Sequence, residues 1–275
     1  MSILSSLKIE EIITKNNPYS SSFVFYHLPL GMGVTVGNCL RRVLLDYTTG
    51  IAISGVEISD KNGPIKTKLT SLEGVDKSTF HLILELKKII FEEKKTKEGI
   101  FILEMDVENK EKKDRIITAG DFQKIEEVEI KNPEFELATL SAPRDGKTPN
   151  KLKIKLYCQK NWGYHQENQQ QEESQIIPLD TNYSPIKSGQ VNFRLDSETT
   201  NLGSKEEKLT LIIETNGCIK PKKVLQEALE ITYSSFNHIS KLINEKKKMK
   251  SSDEVSTRKE KREKSEEIKE FDQEK

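Results

Sequence analysis

Apolar and polar positions along this 275-residue chain change period several times, and each change marks an element. SSFVFYHL (21–28) is β-branched and aromatic and reads as a strand ending at Pro29. GMGVTVGNCLRRVLLDY (31–47) follows, three glycines running into Leu40, Val43, Leu44 and Tyr47 at i, i+3, i+4 and i+7. That spacing predicts a helix with one apolar face, capped at Thr35 or Asn38. IAISGVEI (51–58) and GIFILEMDVE (99–108) read as strands, and TFHLILELKKIIF (79–91) as a helix or strand–helix junction. KLKIKLYC (151–158) has a clear period of two, so the section from 110 to 160 is expected to be mostly β.

A polar loop is expected over 165–175, and VNFRLD (191–196) and KLTLIIET (208–215) are predicted strands, the second closed by an Asn216-Gly217 turn. Pro221 stands where a helix opens, since a first helical residue needs no amide partner. Leu225, Leu229, Thr232, Phe236, Ile239 and Ile243 then recur at spacings of 4, 3, 4, 3 and 4, a heptad seam widened by Ala228, Ile231 and Leu242. Periodicity alone allows a helix lying on its own sheet. A seam this long, flanked by a second apolar face, suits a partner helix as well. From Glu245 onward the chain is almost wholly charged, and residues 246–275 are expected to stay disordered.

Composition narrows the classes. Lys plus Arg equals Asp plus Glu at 44 each, so no basic excess signals a broad nucleic-acid footprint. An apolar fraction of 34% against 32% charged fits a globular part joined to a solvated part. Cys39, Cys158 and Cys218 are far apart and the four histidines are scattered, so neither a disulfide framework nor a metal site is expected. No apolar run is long enough to span a membrane, and MSILSSLKIEEIITK lacks the features of a secretory signal. The expected setting is a reducing compartment.

Gly31, Gly33 and Gly37 raise the question of a phosphate-binding loop. Their G-x-G-x-x-x-G spacing misses the dinucleotide fingerprint by one residue, while Glu57, twenty residues after Gly37, stands where a ribose-binding acid belongs. Against an enzyme, the preceding strand carries Ser20, Ser21 and Ser22, whereas a central parallel strand is continuously apolar. No complete G-x-x-x-x-G-K-[ST] loop, Asp-x-Asp-type carboxylate cluster, G-x-S-x-G or HExxH occurs, and no catalytic residue is assigned.

LPLGMGVTVGNCLRRVLLDYTTGIAISGVEI, SLEGVDKSTFHLILELKK, the NWGY stretch, NYSPI (182–186) and LTLIIETNGCIKPKKVLQEA (209–228) occur in one order. Over roughly residues 1–245 they closely resemble the α subunit of bacterial-type RNA polymerase. The resemblance implies an α+β fold in two parts. A dimerisation subdomain of residues 1–50 plus 180–245 would pack helices on an antiparallel sheet, and an inserted, mostly β subdomain of 51–179 would contact the large subunits. It further implies a homodimer through Leu40, Val43, Leu44, Leu225, Leu229, Phe236, Ile239 and Ile243. Arg42, helped by Leu45, matches the family's contact to the β subunit, and arginine suits it because its planar fork pairs bidentately with a carboxylate. Lys87 matches the basic contact to β′.

Two further β′ positions depart from the family: His81 replaces the usual glutamate, and His165 a small apolar residue. They suggest a co-adapted or split partner (β″). The implied role is a non-catalytic assembly subunit that dimerises and docks β and β′, with no cofactor of its own and sigma-type factors reached only through the holoenzyme. The charged end leaves no apolar periodicity for the family's small helical DNA-binding domain, so DNA binding by this chain is expected to be weak or absent. The rivals are a nucleotide-cofactor enzyme using the Gly31–Gly37 loop and a scaffold of the same fold outside transcription. Heavy use of Lys, Ile, Asn and Glu fits an AT-rich genome and points to the plastid stroma of an alga or protist, with a bacterial cytoplasm as the alternative.

Overall fold

The computed structural model describes residues 7–95, 99–143, 148–167, 175–199 and 205–244. The expected charged tail and most of the expected polar loop lie outside these residues. In chain order the elements are β1 (Lys8–Ile13), β2 (Ser20–Pro29), α1 (Met32–Asp46), β3 (Thr49–Asp60), β4 (Gly63–Pro64), α2 (Thr79–Leu86), β5 (Phe91–Glu93) and β6 (Ile100–Asn109). Then follow β7 (Arg115–Thr118), β8 (Val128–Ile130), β9 (Glu136–Leu140), β10 (Asn150–Trp162), β11 (Tyr164–His165), β12 (Ile177–Pro178), β13 (Thr181–Asn182), β14 (Ile186–Thr199) and β15 (Lys205–Thr215). A last helix, α3, covers 221–244. The fold is α+β with antiparallel pairing among the described strands, as the family resemblance implies.

The chain divides into two compact units, Met1–Ala228 and Leu229 onward. Within the first, one sheet runs β1-β2-β15-β14 and another β12-β3-β10-β6. Alternation explains how each sheet acquires a core face. Along β10, Leu152, Ile154, Leu156 and Cys158 point into one core with Leu103, Met105 and Val107 of β6. On the outward face Lys151, Lys153 and Lys155 pair with Glu108, Asp106 and Glu104 across the strands, a ladder that keeps this side solvated. The second core gathers Phe23, Phe25 and Leu28 of β2, Leu209, Leu211 and Ile213 of β15, and Leu40 and Leu44 of α1. Val224, Leu225 and Ala228, the first turns of α3, complete it.

The path between the two sheets is narrow. A Cβ on Gly50 would lie 2.1 Å from the Tyr183 carbonyl oxygen, so only glycine allows the outgoing and returning segments to touch there. Glu227 of α3 accepts from both the amide and the hydroxyl of Thr49, each at 2.8 Å, and ties the start of β3 to the last helix.

Candidate functional site: the α1 helix, its β-strand clamp and the α3 stripe

The glycines of Gly31–Gly37 do not form a loop. Helix α1 already begins at Met32, with Gly31 as its N-cap in the left-handed region at φ 85°. Thr35 and Asn38, expected as caps, lie inside the helix because two glycines that look like loop residues are helical. Gly33 and Gly37 permit contact: a Cβ on Gly33 would sit 2.4 Å from Leu195 Cδ2, and one on Gly37 2.8 Å from the Phe193 ring. The helix therefore lies against β14 closer than any larger residue allows.

The amides at its positive end are already occupied. Glu207 Oε1 accepts from Gly31 N at 2.9 Å and Oε2 from Gly33 N at 2.7 Å. A carboxylate of the chain itself thus fills the position a phosphate would need. Glu57, the supposed ribose ligand, lies in the other sheet, where it accepts from the Tyr157 hydroxyl. The cofactor-loop reading fails on both counts.

The paired arginines separate cleanly. Arg41 Nε donates to the Val191 carbonyl at 3.1 Å and is spent on the sheet. Arg42, one residue and 100° further round, is exposed and has no hydrogen bond or ion pair among the described residues. Leu45 is half-buried against the chain's own core, as is Val43. Leu40, Leu44 and Leu225 correct the sequence expectation: at 2%, 0% and 5% exposure they are interior to one protomer and offer nothing to a second. The helical spacing marked an apolar face without saying what covers it.

The rest of the seam differs sharply. Beyond Ala228 the same stripe of α3 continues uncovered, with Leu229, Tyr233, Phe236, Ile239, Leu242 and Ile243 between 41% and 73% exposed. Apolar side chains repeated over four turns and left in water form the kind of surface that marks a protein interface.

On the other sheet, Lys87 sits at the C-cap of α2, exposed to solvent at its surface, and partial desolvation lowers its amine below the usual lysine range while Asp180 pulls it back up. It lines a cleft of about 380 Å³ with Tyr164, Asp180, Thr181 and Asn182. His165 is exposed beside that wall, its Nε2 3.0 Å from the Trp162 carbonyl and its ring edge-on to Tyr183. His81 stands apart at the start of α2, where Nδ1 lies 2.8 Å from Ser78 Oγ, the hydroxyl that caps the helix. The structure groups Lys87 with the neighbourhood of His165 and leaves His81 elsewhere on α2. Gly163, at φ 67°, brings this segment against the end of α1, since a Cβ there would lie 3.0 Å from the Asp46 carbonyl. Sequence reasoning missed Glu207, Glu227 and Gly50, whose partners are all more than a hundred residues distant. Among the described residues no cluster of His, Cys, Asp and Glu could hold a metal, and no helix is long and apolar enough to cross a membrane.

Comparison with known proteins gives one consistent result. Residues 56–184 match the family model described as the RNA polymerase Rpb3/RpoA insert domain. The DNA-directed RNA polymerase subunit alpha of Staphylococcus epidermidis is 31% identical over 245 residues, 86% of this chain and 71% of that protein. The subunit of the same name from Aquifex aeolicus is 33% identical over 222 residues, covering 80% of this chain and 65% of that one. A Staphylococcus aureus counterpart is 32% identical over 237 residues, 84% and 68% of the two chains.

Proposed function

From the premise that the chain belongs to the family of DNA-directed RNA polymerase α subunits, we propose that it is the non-catalytic assembly subunit of such an enzyme. It pairs with a second copy of itself and then docks the two large subunits. The bare half of the α3 stripe carries this reading. A helix whose first turns finish its own core, and whose next four turns present the same face to water, is complete only against another apolar surface. Each large side chain covered there contributes up to about 1.5–3 kcal/mol. A two-fold pair supplies it, because one patch meets its own copy.

In this reading Arg42, with Leu45 beside it, reaches a carboxylate of β, and Lys87 with His165 and His81 faces β′, whole or split. Support comes from the exposed guanidinium of Arg42, which has no hydrogen bond or ion pair among the described residues, and from the exposure of Lys87 at the C-cap of α2. The first core, drawn from residues between Ile53 and Leu179, serves as the inserted subdomain, and the second as the dimerisation subdomain. The chemistry of nucleotide addition resides in the docked subunits. The named relatives are bacterial, while the Lys-, Ile-, Asn- and Glu-rich composition supports a plastid stroma.

The deciding experiment is co-purification of the tagged full chain with mass identification of everything bound, paired with sedimentation of the chain alone. The expected result is a dimer that captures two large basic chains. A stable monomer at micromolar concentration that captures neither overturns the proposal.

A further inference from the structure

The mount of α1 contains more than its glycines. The helix has no side-chain cap of its own and no acidic residue in its first turn, so its free amides and positive end are left to be met from outside. Glu207 meets them from β15, one oxygen to Gly31 and one to Gly33. Its neighbour Glu206 projects from the opposite face of the strand and lies 2.7 Å from Nδ1 of His27. His27 is held at φ 63°, where the ladder between β2 and β15 shifts register: Glu207 faces Leu28, yet Leu209 faces Phe25. Two residues of β2 thus oppose Lys208 alone, and this bulge aims the chain into the turn that opens α1. Two consecutive carboxylates therefore secure the bulge, the turn and the first turn of the helix, while Gly33 and Gly37 hold the helix at one height on the sheet.

We infer that Glu207 is a positioning residue for Arg42. The guanidinium emerges nine residues beyond Gly33, about 13 Å along the axis, on the side of the helix opposite the sheet. Its bidentate geometry tolerates little displacement, and Glu207 is the group that fixes where α1 starts, and so where Arg42 stands. This inference rests on the proposal that Arg42 docks the β subunit.

The test measures β-subunit affinity and sedimentation for the full-length protein. Arg42→Ala comes first: retention of β binding would refute the docking role itself, separately from anything about Glu207. With that role standing, Glu207→Ala is expected to remain a dimer and bind β about tenfold more weakly, and Glu207→Gln, which keeps one acceptor, about threefold. In an Arg42→Lys background, where no planar fork remains to be aimed, Glu207→Ala is expected to change affinity by less than about twofold. Wild-type affinity in Glu207→Ala, or an equal loss with and without the Arg42→Lys substitution, overturns the inference. If Glu207→Ala does not fold, Glu207→Gln decides by the same two comparisons.

Discussion

Arg41 and Arg42 are identical in chemistry and adjacent in sequence, yet one is anchored on the Val191 carbonyl and the other is free among the described residues. Arg42→Ala should therefore leave the dimer intact and change stability by less than about 0.5 kcal/mol, while β no longer co-purifies. Arg41→Ala should do the reverse, lowering stability through the lost bond to β14. Gly33 gives a second residue-scale prediction. Gly→Ala inside a helix ordinarily stabilises by up to about 1 kcal/mol. Here the added methyl would meet Leu195 Cδ2 and Glu207 Oε2, the movable ends of two side chains, so Gly33→Ala should lose most of that gain and leave stability within about 1 kcal/mol of the parent in urea denaturation. Titration supplies a third. Burial, then the bond to Glu57, pushes the Tyr157 hydroxyl up to about 12, and burial raises the Cys218 thiol to about 11 and Cys158 further. All three stay protonated in the folded chain after their unfolded counterparts, at 10.0 for tyrosine and 9.0 for cysteine, have ionised. The stabilisation they contribute is thus fully present below pH 9 and is lost as pH rises toward 12. Unfolding midpoints measured across that range should fall steadily, and Tyr157→Phe should flatten the upper part of the fall.

At the scale of elements, α3 behaves as two helices in series, one closing a core and one left bare. Phe236→Asp combined with Ile239→Asp should give monomers by sedimentation while the first unit keeps its unfolding midpoint, since neither residue belongs to its core. The heptad repeat was legible in the sequence because helical spacing is a local property. Which half of it would be free was not, because Leu225 and Leu229 are the same residue type one turn apart and only the surrounding fold covers one of them. The start of α1 shows the same limit. Gly33 and Gly37 carry a low helix propensity and suggested a loop, whereas contact with β14 and the Glu207 carboxylate outweighs that propensity. Strand β10 was readable over 151–158, where its period of two is written in alternating Lys and aliphatic residues, but its continuation to Trp162 was not.

Across the whole molecule, the resemblance of ordered sequence blocks identified the family, while the long-range pairings that hold the pieces together lay beyond local patterns. The contact of Gly50 with Tyr183 is one of these, and it makes the second sheet an excursion whose two ends meet. Replacing the chain between those residues by a short Gly/Ser linker should therefore leave a folded, self-associating remainder by size exclusion. Loss of the fold on that excision would show that the two cores need each other.

The uncovered turns of α3 also bear on how much of this protein a cell can keep. Pairing scales with the square of concentration, so scarce chains remain single, with greasy residues open to chaperones and proteases. Surplus is safe only in pairs. The abundance of the subunit is in this way tied to its own synthesis rate before any larger neighbour arrives, and a modest fall in translation would thin the pool of usable pairs disproportionately.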